Sequence, residues 1–161
     1  MLLVTDECGR LARWLRLCGY DAAQMPAQPL SDLYRRAYGE GRIVVTRNRR
    51  IRAGCLFRVV HLEGQSLEEQ LQQVIRELDL LVEATRVFTR CDRCNVAVEP
   101  IEKAAVKERV PPYVFQTQQT FHVCPSCHRV YWAATHWQRA CRLFDRLRPA
   151  NGGACEEAKH A

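Results

Sequence analysis

The sequence predicts an α/β protein: a parallel-sheet domain followed by a small module stapled by four cysteines. Three observations carry this reading. Short β-branched runs alternate with amphipathic segments through the first half of the chain, two Cys-x-x-Cys pairs follow, and the pattern changes between them near residues 83–88. Strands alternating with helices imply a sheet whose strands run parallel and whose faces are covered. The expected division is a sheet domain over residues 1–85, a zinc ribbon with a C-terminal helix over 86–147, and a disordered tail over 148–161, where apolar periodicity is lost.

Residues 1–5, MLLVT, read as a short buried strand with Asp6 at its C-terminal end. A helix follows, with Leu11, Trp14, Leu15 and Cys18 on one face, Arg10, Arg13 and Arg16 on the other side, and Gly19 as its stop. YDAAQM is the second strand. In PLSDLYRRAYGEG, Ser31 is the expected N-cap of a helix carrying Leu33, Arg36 and Ala37, which ends at Gly39 or Gly41. RIVVT is the third strand and LFRVVHL supplies the fourth. Ser66 and Glu69 then form a capping box for a helix whose Leu67, Leu71, Val74, Ile75 and Leu78 recur at helical spacing.

Right-handed connections place every strand's C-terminal end on one edge of such a sheet, where ligands of open α/β sheets bind. Asp6 and Asn48 fall just past predicted strands, and Asp32 in the first turn of the second helix belongs on the same rim. Carboxylates at strand ends are what a divalent-metal phosphodiesterase needs, because Mg²⁺ and Mn²⁺ prefer hard oxygen ligands and lower the cost of attack on phosphate. Asp6 and Asp32 are the candidates, with Glu7 and Asp21 as outer partners. Two acids are a sparse signal, since each also suits a helix N-terminus by its charge alone.

Composition narrows the partners. Hydrophobic residues make up 47% of the 161 and charged residues 26%, which excludes a disordered chain. No apolar run approaches the ~20 residues that span a bilayer, so no membrane is expected. An acid at the sixth residue interrupts any secretory segment, and a cytoplasmic address is expected. The net charge of +6 comes from 21 arginines and 3 lysines set against 18 acids, so the positive charge is mostly planar forks suited to phosphate. The run Arg42, Arg47, Arg49, Arg50, Arg52 and Arg58 contains no acid and would surround a cleft with positive potential.

Cys91-x-x-Cys94 and Cys124-x-x-Cys127 are two tight pairs, whereas Cys8, Cys18, Cys55, Cys141 and Cys155 are scattered. Each pair can turn both sulfurs towards one ion, and together they complete a closed tetrahedron at about 2.3 Å per Zn–S bond, a structural site. The 29 residues from Asn95 to Val123 between the pairs are long enough for two or three strands, and YVFQTQQTFHV and RVYWA are β-prone. His122, His128 and His136 lie near, but four thiolates suffice. Tyr131, Trp132 and Trp137 among Arg129, His136 and Arg139 suit either base stacking or the small core of a ribbon.

The segments VTDECGRLARWLRLCGYDA, GRIVVTRNRR, RCDRCNVAVEP, VPPYVF and FHVCPSCHRVYWAATHW resemble, in order and spacing, the Mut-seven C-terminal (Mut7-C) ribonuclease family from about Leu3 to Leu147. The resemblance implies a PIN-like α/β fold, metal-dependent RNA cleavage with catalytic Mg²⁺ or Mn²⁺, and a structural Zn²⁺ on Cys91, Cys94, Cys124 and Cys127. Carried over by position, the family's first strand-end Asp falls on Asp6 and its helix-start acid on Asp32. Its usual Thr-Arg-Asp falls on Thr46, Arg47 and Asn48. An amide there offers a carbonyl oxygen but no negative charge. Arg10, Arg13, Arg47, Arg49 and Arg50 are the expected RNA contacts. Two alternatives keep RNA or ribonucleoprotein binding without strong catalysis, or make the ribbon a protein-interaction adaptor.

Overall fold

The computed structural model describes residues 1–54, 56–81 and 84–132. Four short strands, β1 (Leu2–Thr5), β2 (Ala22–Met25), β3 (Ile43–Thr46) and β4 (Val59–His61), form one parallel sheet in the order β2-β1-β3-β4. The helices α1 (Gly9–Leu17), α2 (Leu30–Gly39) and α3 (Leu67–Glu77) connect or follow them.

Alternation along the strands divides the core in two. Leu2, Val4, Val45 and Val60 face Leu11 and Leu15 of α1 and Leu71 and Val74 of α3. Leu3, Ala23 and Val44 face Leu33 and Ala37 of α2, with Ile51 beside them. All four residues of β1 are buried, because helices cover it on both faces. The architecture is therefore mixed α/β, with α1 and α3 on one face of the sheet and α2 on the other.

The caps differ in how they form. The Ser66 hydroxyl accepts from the Glu69 N–H at 3.2 Å while the Glu69 carboxylate accepts from the Ser66 N–H at 2.9 Å, the expected capping box. Ser31 is not the cap of α2. Pro29 holds an extended conformation there and its carbonyl takes the first helical N–H groups, so the helix starts one residue before Ser31. Gly19, at φ +84°, ends α1; a Cβ would lie 2.4 Å from the Arg86 carbonyl oxygen.

The second sheet is antiparallel, β5 (Glu99–Ile101), β6 (Phe121–Val123) and β7 (Val130–Trp132) in that order. Phe121, Val106 and Val110 are its core, with Trp132 packed against them. The expected strand through YVFQ is instead helix α4 (Pro112–Thr117). Pro112 occupies the first helical turn with its φ already suited, and Val114 and Phe115 reach the small core from there. The expected C-terminal helix of the ribbon module and the tail over 148–161 lie outside the described residues.

Candidate functional site

The strand order changes direction at β1: the chain passes from β1 out to β2, then returns to β3 on the other side. The C-terminal ends of β1 and β3 therefore flank a topological switch point, the place where ligands of open α/β sheets bind. Asp6 begins the 3₁₀ turn Asp6–Cys8 directly after β1, and Arg47 and Asn48 follow β3.

Two buried threonines tie these ends together. Thr5 Oγ1 donates to Thr46 Oγ1 at 3.0 Å, and Thr46 Oγ1 lies 2.9 Å from Glu7 Oε1. Glu7 also accepts from the Arg47 N–H at 3.3 Å. Burial acts to raise the Glu7 carboxyl, but the Thr5 and Thr46 hydroxyls and main-chain N–H groups outweigh it and hold it below the usual value, so it is ionised. Glu7 is thus the acid that joins the two strand ends.

The expected site residues are placed as follows. Asp6 is exposed at the rim and accepts the Glu7 N–H at 3.1 Å. Asp32 lies in the first turn of α2 with its carboxylate 2.5 Å from Arg35. The Asn48 side-chain oxygen accepts the Arg50 N–H at 3.0 Å, and its own N–H reaches Thr46 Oγ1 at 3.0 Å, so the amide closes the loop after β3. Among the described residues, the group of three or more metal-ligating side chains drawn within 4.8 Å of one another is the cysteine cluster.

Two outer expectations change. Asp21 sits at the start of β2, on the opposite edge of the sheet, where it accepts from Arg42 at 2.9 and 3.1 Å and from Asn95 at 2.7 Å. The basic run does not act as one surface either. Arg42 is buried at the N-terminal end of β3, donating to the Leu2 carbonyl, and Arg58 precedes β4 on that same edge and donates to the Glu77 carbonyl. Arg47, Arg49 and Arg50 are at the rim; Arg47 reaches Gln65 at 2.9 Å and Arg49 lies 3.9 Å from Glu63. Arg10 is exposed in the first turn of α1, and Arg13 one turn on lies 4.0 Å from Asp92.

The four cysteines are brought together by two matching turns. Asn95 N–H bonds the Cys91 carbonyl and His128 N–H the Cys124 carbonyl, at 3.0 and 2.9 Å. Both Asn95 and His128 are left-handed, at φ +62° and +58°. The Cys94 and Cys127 N–H groups then point at the Cys91 and Cys124 sulfurs, at 3.3 and 3.4 Å. The four sulfurs lie within 4.8 Å of one another. A tetrahedron with 2.3 Å bonds has sulfurs about 3.8 Å apart, and Cys91 Sγ and Cys127 Sγ are 3.8 Å apart. The set fits Zn²⁺. Burial pushes the Cys91 thiol up, but the Tyr131 hydroxyl and nearby N–H groups bring it down to about 7, towards the thiolate a metal needs.

Three residues matter here that residue patterns did not reveal. Tyr131, expected as a stacking or core ring, donates its hydroxyl towards Cys91 Sγ and Asp92, at 3.0 and 2.8 Å. Asn95 accepts the Ala22 N–H at 3.1 Å and so caps the open edge of β2. Arg16, expected on the solvent side of α1, is buried and donates to the carbonyls of Ala22, Asp92 and Arg93 at 2.8, 2.8 and 3.0 Å. A long guanidinium on a helix facing a second module can reach carbonyls that no helical periodicity records.

Among the described residues no helix is long and apolar enough to cross a membrane. No curated protein and no solved structure gives a significant match to the chain. The family model of the Mut7-C RNAse domain matches residues 1–144, a description that points to a ribonuclease-type function with RNA as its partner. With nearly its whole length matched, and the four-cysteine cluster in place, the chain belongs to the Mut7-C RNAse domain family.

Proposed function

We propose that the chain is a metal-dependent ribonuclease, with a PIN-like sheet domain over residues 1–85 and a zinc-ribbon module over 86–147. The observation that carries this is the joining of Glu7 to Thr46 and the Arg47 N–H at the switch point of the sheet, with Asp6 beside Glu7 in the turn that follows β1. Asp6, exposed and without an ion pair among the described residues, is the carboxylate that would hold Mg²⁺ or Mn²⁺, with Asp32 as the second acid. A bound divalent ion supplies an activated water and neutralises charge on the phosphate. Glu7 keeps the two loops in register, and Arg10, Arg13, Arg47, Arg49 and Arg50 bind the RNA backbone. Zn²⁺ on Cys91, Cys94, Cys124 and Cys127 is structural.

A second reading is an RNA-binding protein with weakened catalysis. It is favoured by the engagement of Asn48 Oδ1 with the Arg50 N–H and of Asp32 with Arg35, which leaves both groups partly committed elsewhere. Incubating the full chain with structured and single-stranded RNAs and Mn²⁺ or Mg²⁺ separates the two. Cleavage lost in Asp6→Asn is expected. Cleavage that survives this change would sink the carboxylate mechanism, and activity that appears only in Asn48→Asp would favour the binding reading.

A further inference from the structure

An open groove of about 450 Å³ runs along the outer side of β2, from Asp6 at the rim to Arg93 and Asn95 of the first cysteine turn. It exists because β2 is an edge strand, paired with β1 alone among the described residues. Ala22 turns both main-chain groups outward, where Asn95 and Arg16 take them. The alternation of a parallel strand gives Gln24, two residues on, the same outward aspect, so a main-chain donor faces the groove beyond the cysteine turn.

The charge in its wall is uneven. Among the described residues Asp6 is the one carboxylate there, set at the rim, against Arg16, Arg36 and Arg93 further along. Arg16 is committed to three carbonyls, and Arg36 lies 2.8 Å from Glu40. Arg93 is exposed, and among the described residues no carboxylate pairs with it. Its position does not depend on its own side chain, because Arg16 anchors the Arg93 carbonyl and the flanking cysteines define the turn.

We infer, resting on the ribonuclease reading above, that this groove is the track by which single-stranded RNA reaches the rim, with Arg93 holding a phosphate of the flanking nucleotide. Arg93 is then a positioning residue, and the zinc turn contributes to the substrate path. A volume within the range of small-molecule sites, about 300–1,000 Å³, suits a nucleotide unit of a single strand rather than a duplex. The Cys94 sulfur also lines the groove and, as one of four thiolates on Zn²⁺, repels phosphate; the neighbouring guanidinium is what makes this end attractive.

The test is binding of a short fluorescein-labelled oligouridylate to the full chain, read by anisotropy across a salt series. Arg93→Ala is expected to weaken binding about fivefold and to make the slope of log affinity against log salt shallower by about 0.7. Arg93→Glu should weaken it further and Arg93→Lys should recover most of it, with zinc content and denaturation midpoint unchanged in all three. Parental affinity and slope in Arg93→Glu would overturn the track even if the parent cleaves RNA through Asp6. Arg93-dependent binding by a parent with no Asp6-dependent cleavage would remove the ribonuclease reading and leave the track standing. Equal competition by duplex RNA would overturn the single-strand assignment.

Discussion

The Glu7 carboxylate accepts the Thr46 hydroxyl at 2.9 Å and, through the Arg47 N–H, holds the loop after β3 against the turn after β1. Thr46 is buried and also receives the Asn48 N–H, so one hydroxyl serves both loops of the switch point.

Thr46→Val keeps the shape and removes that hydroxyl. Buried acceptors and donors left without a partner cost about 1–3 kcal/mol, so the midpoint of urea unfolding should fall by a corresponding amount. Because the same change frees Glu7 and the loop at Asn48, RNA cleavage should fall more than the loss of folded protein explains, which a comparison of active fraction with circular dichroism checks.

Arg16→Met leaves three carbonyls without their donor and removes the link between α1 and the cysteine turn. The expected loss is about 3 kcal/mol or more. Arg16→Lys should recover little, since one ammonium cannot reproduce the planar fork. Denaturant titration measures both.

The pair of Asp21 and Arg42 makes stability depend on pH in a stated direction. Burial acts to raise the Asp21 carboxyl, but Arg42 and Asn95 outweigh it and hold it below its ordinary 3.8. A depressed folded value means that the stabilisation is fully present above the unfolded value and lost as pH falls through the folded one. Asp21→Asn should therefore cost about 1–2 kcal/mol at neutral pH, and its deficit against the parent should shrink below about pH 4. Thermal melts across pH read it.

Metal retention should depend on Tyr131. The hydroxyl lies 3.0 Å from Cys91 Sγ and 2.8 Å from Asp92. Loss of such an outer hydrogen bond typically weakens metal affinity about 10–100-fold, so Tyr131→Phe should surrender zinc to a competing chelator at lower chelator concentration than the parent. Complete zinc removal should unfold residues 90–132 while the parallel sheet persists, because the small core of Val106, Val110 and Phe121 is too slight to hold that segment alone. Hydrogen exchange resolves the two regions.

Several features were legible because they are local. The capping box needs only Ser66 and Glu69 three residues apart, and the two cysteine pairs need only their spacing. Others were decided by local proline geometry or by distant partners. Ser31 lost the cap of α2 to Pro29, and YVFQ became helical because Pro111 and Pro112 set its start and the small core received Val114 and Phe115. Arg16 and Arg42 read as solvent arginines but are buried on groups supplied from residues 76 and 21 positions away.

By itself, then, the sequence determined the alternating elements, the apolar faces of the helices, the cysteine ligand set and the placing of Asp6, Asp32 and Asn48 at element ends, since each depends on residues within a few positions. Only the tertiary structure decided that the strands order as β2-β1-β3-β4, that Glu7 and Thr46 lock the switch point, and that Asn95 and Arg16 dock the cysteine turn on the edge of β2. Those relations depend on hydrogen bonds between groups far apart along the chain, which exist only once burial has excluded water and left the polar groups to one another.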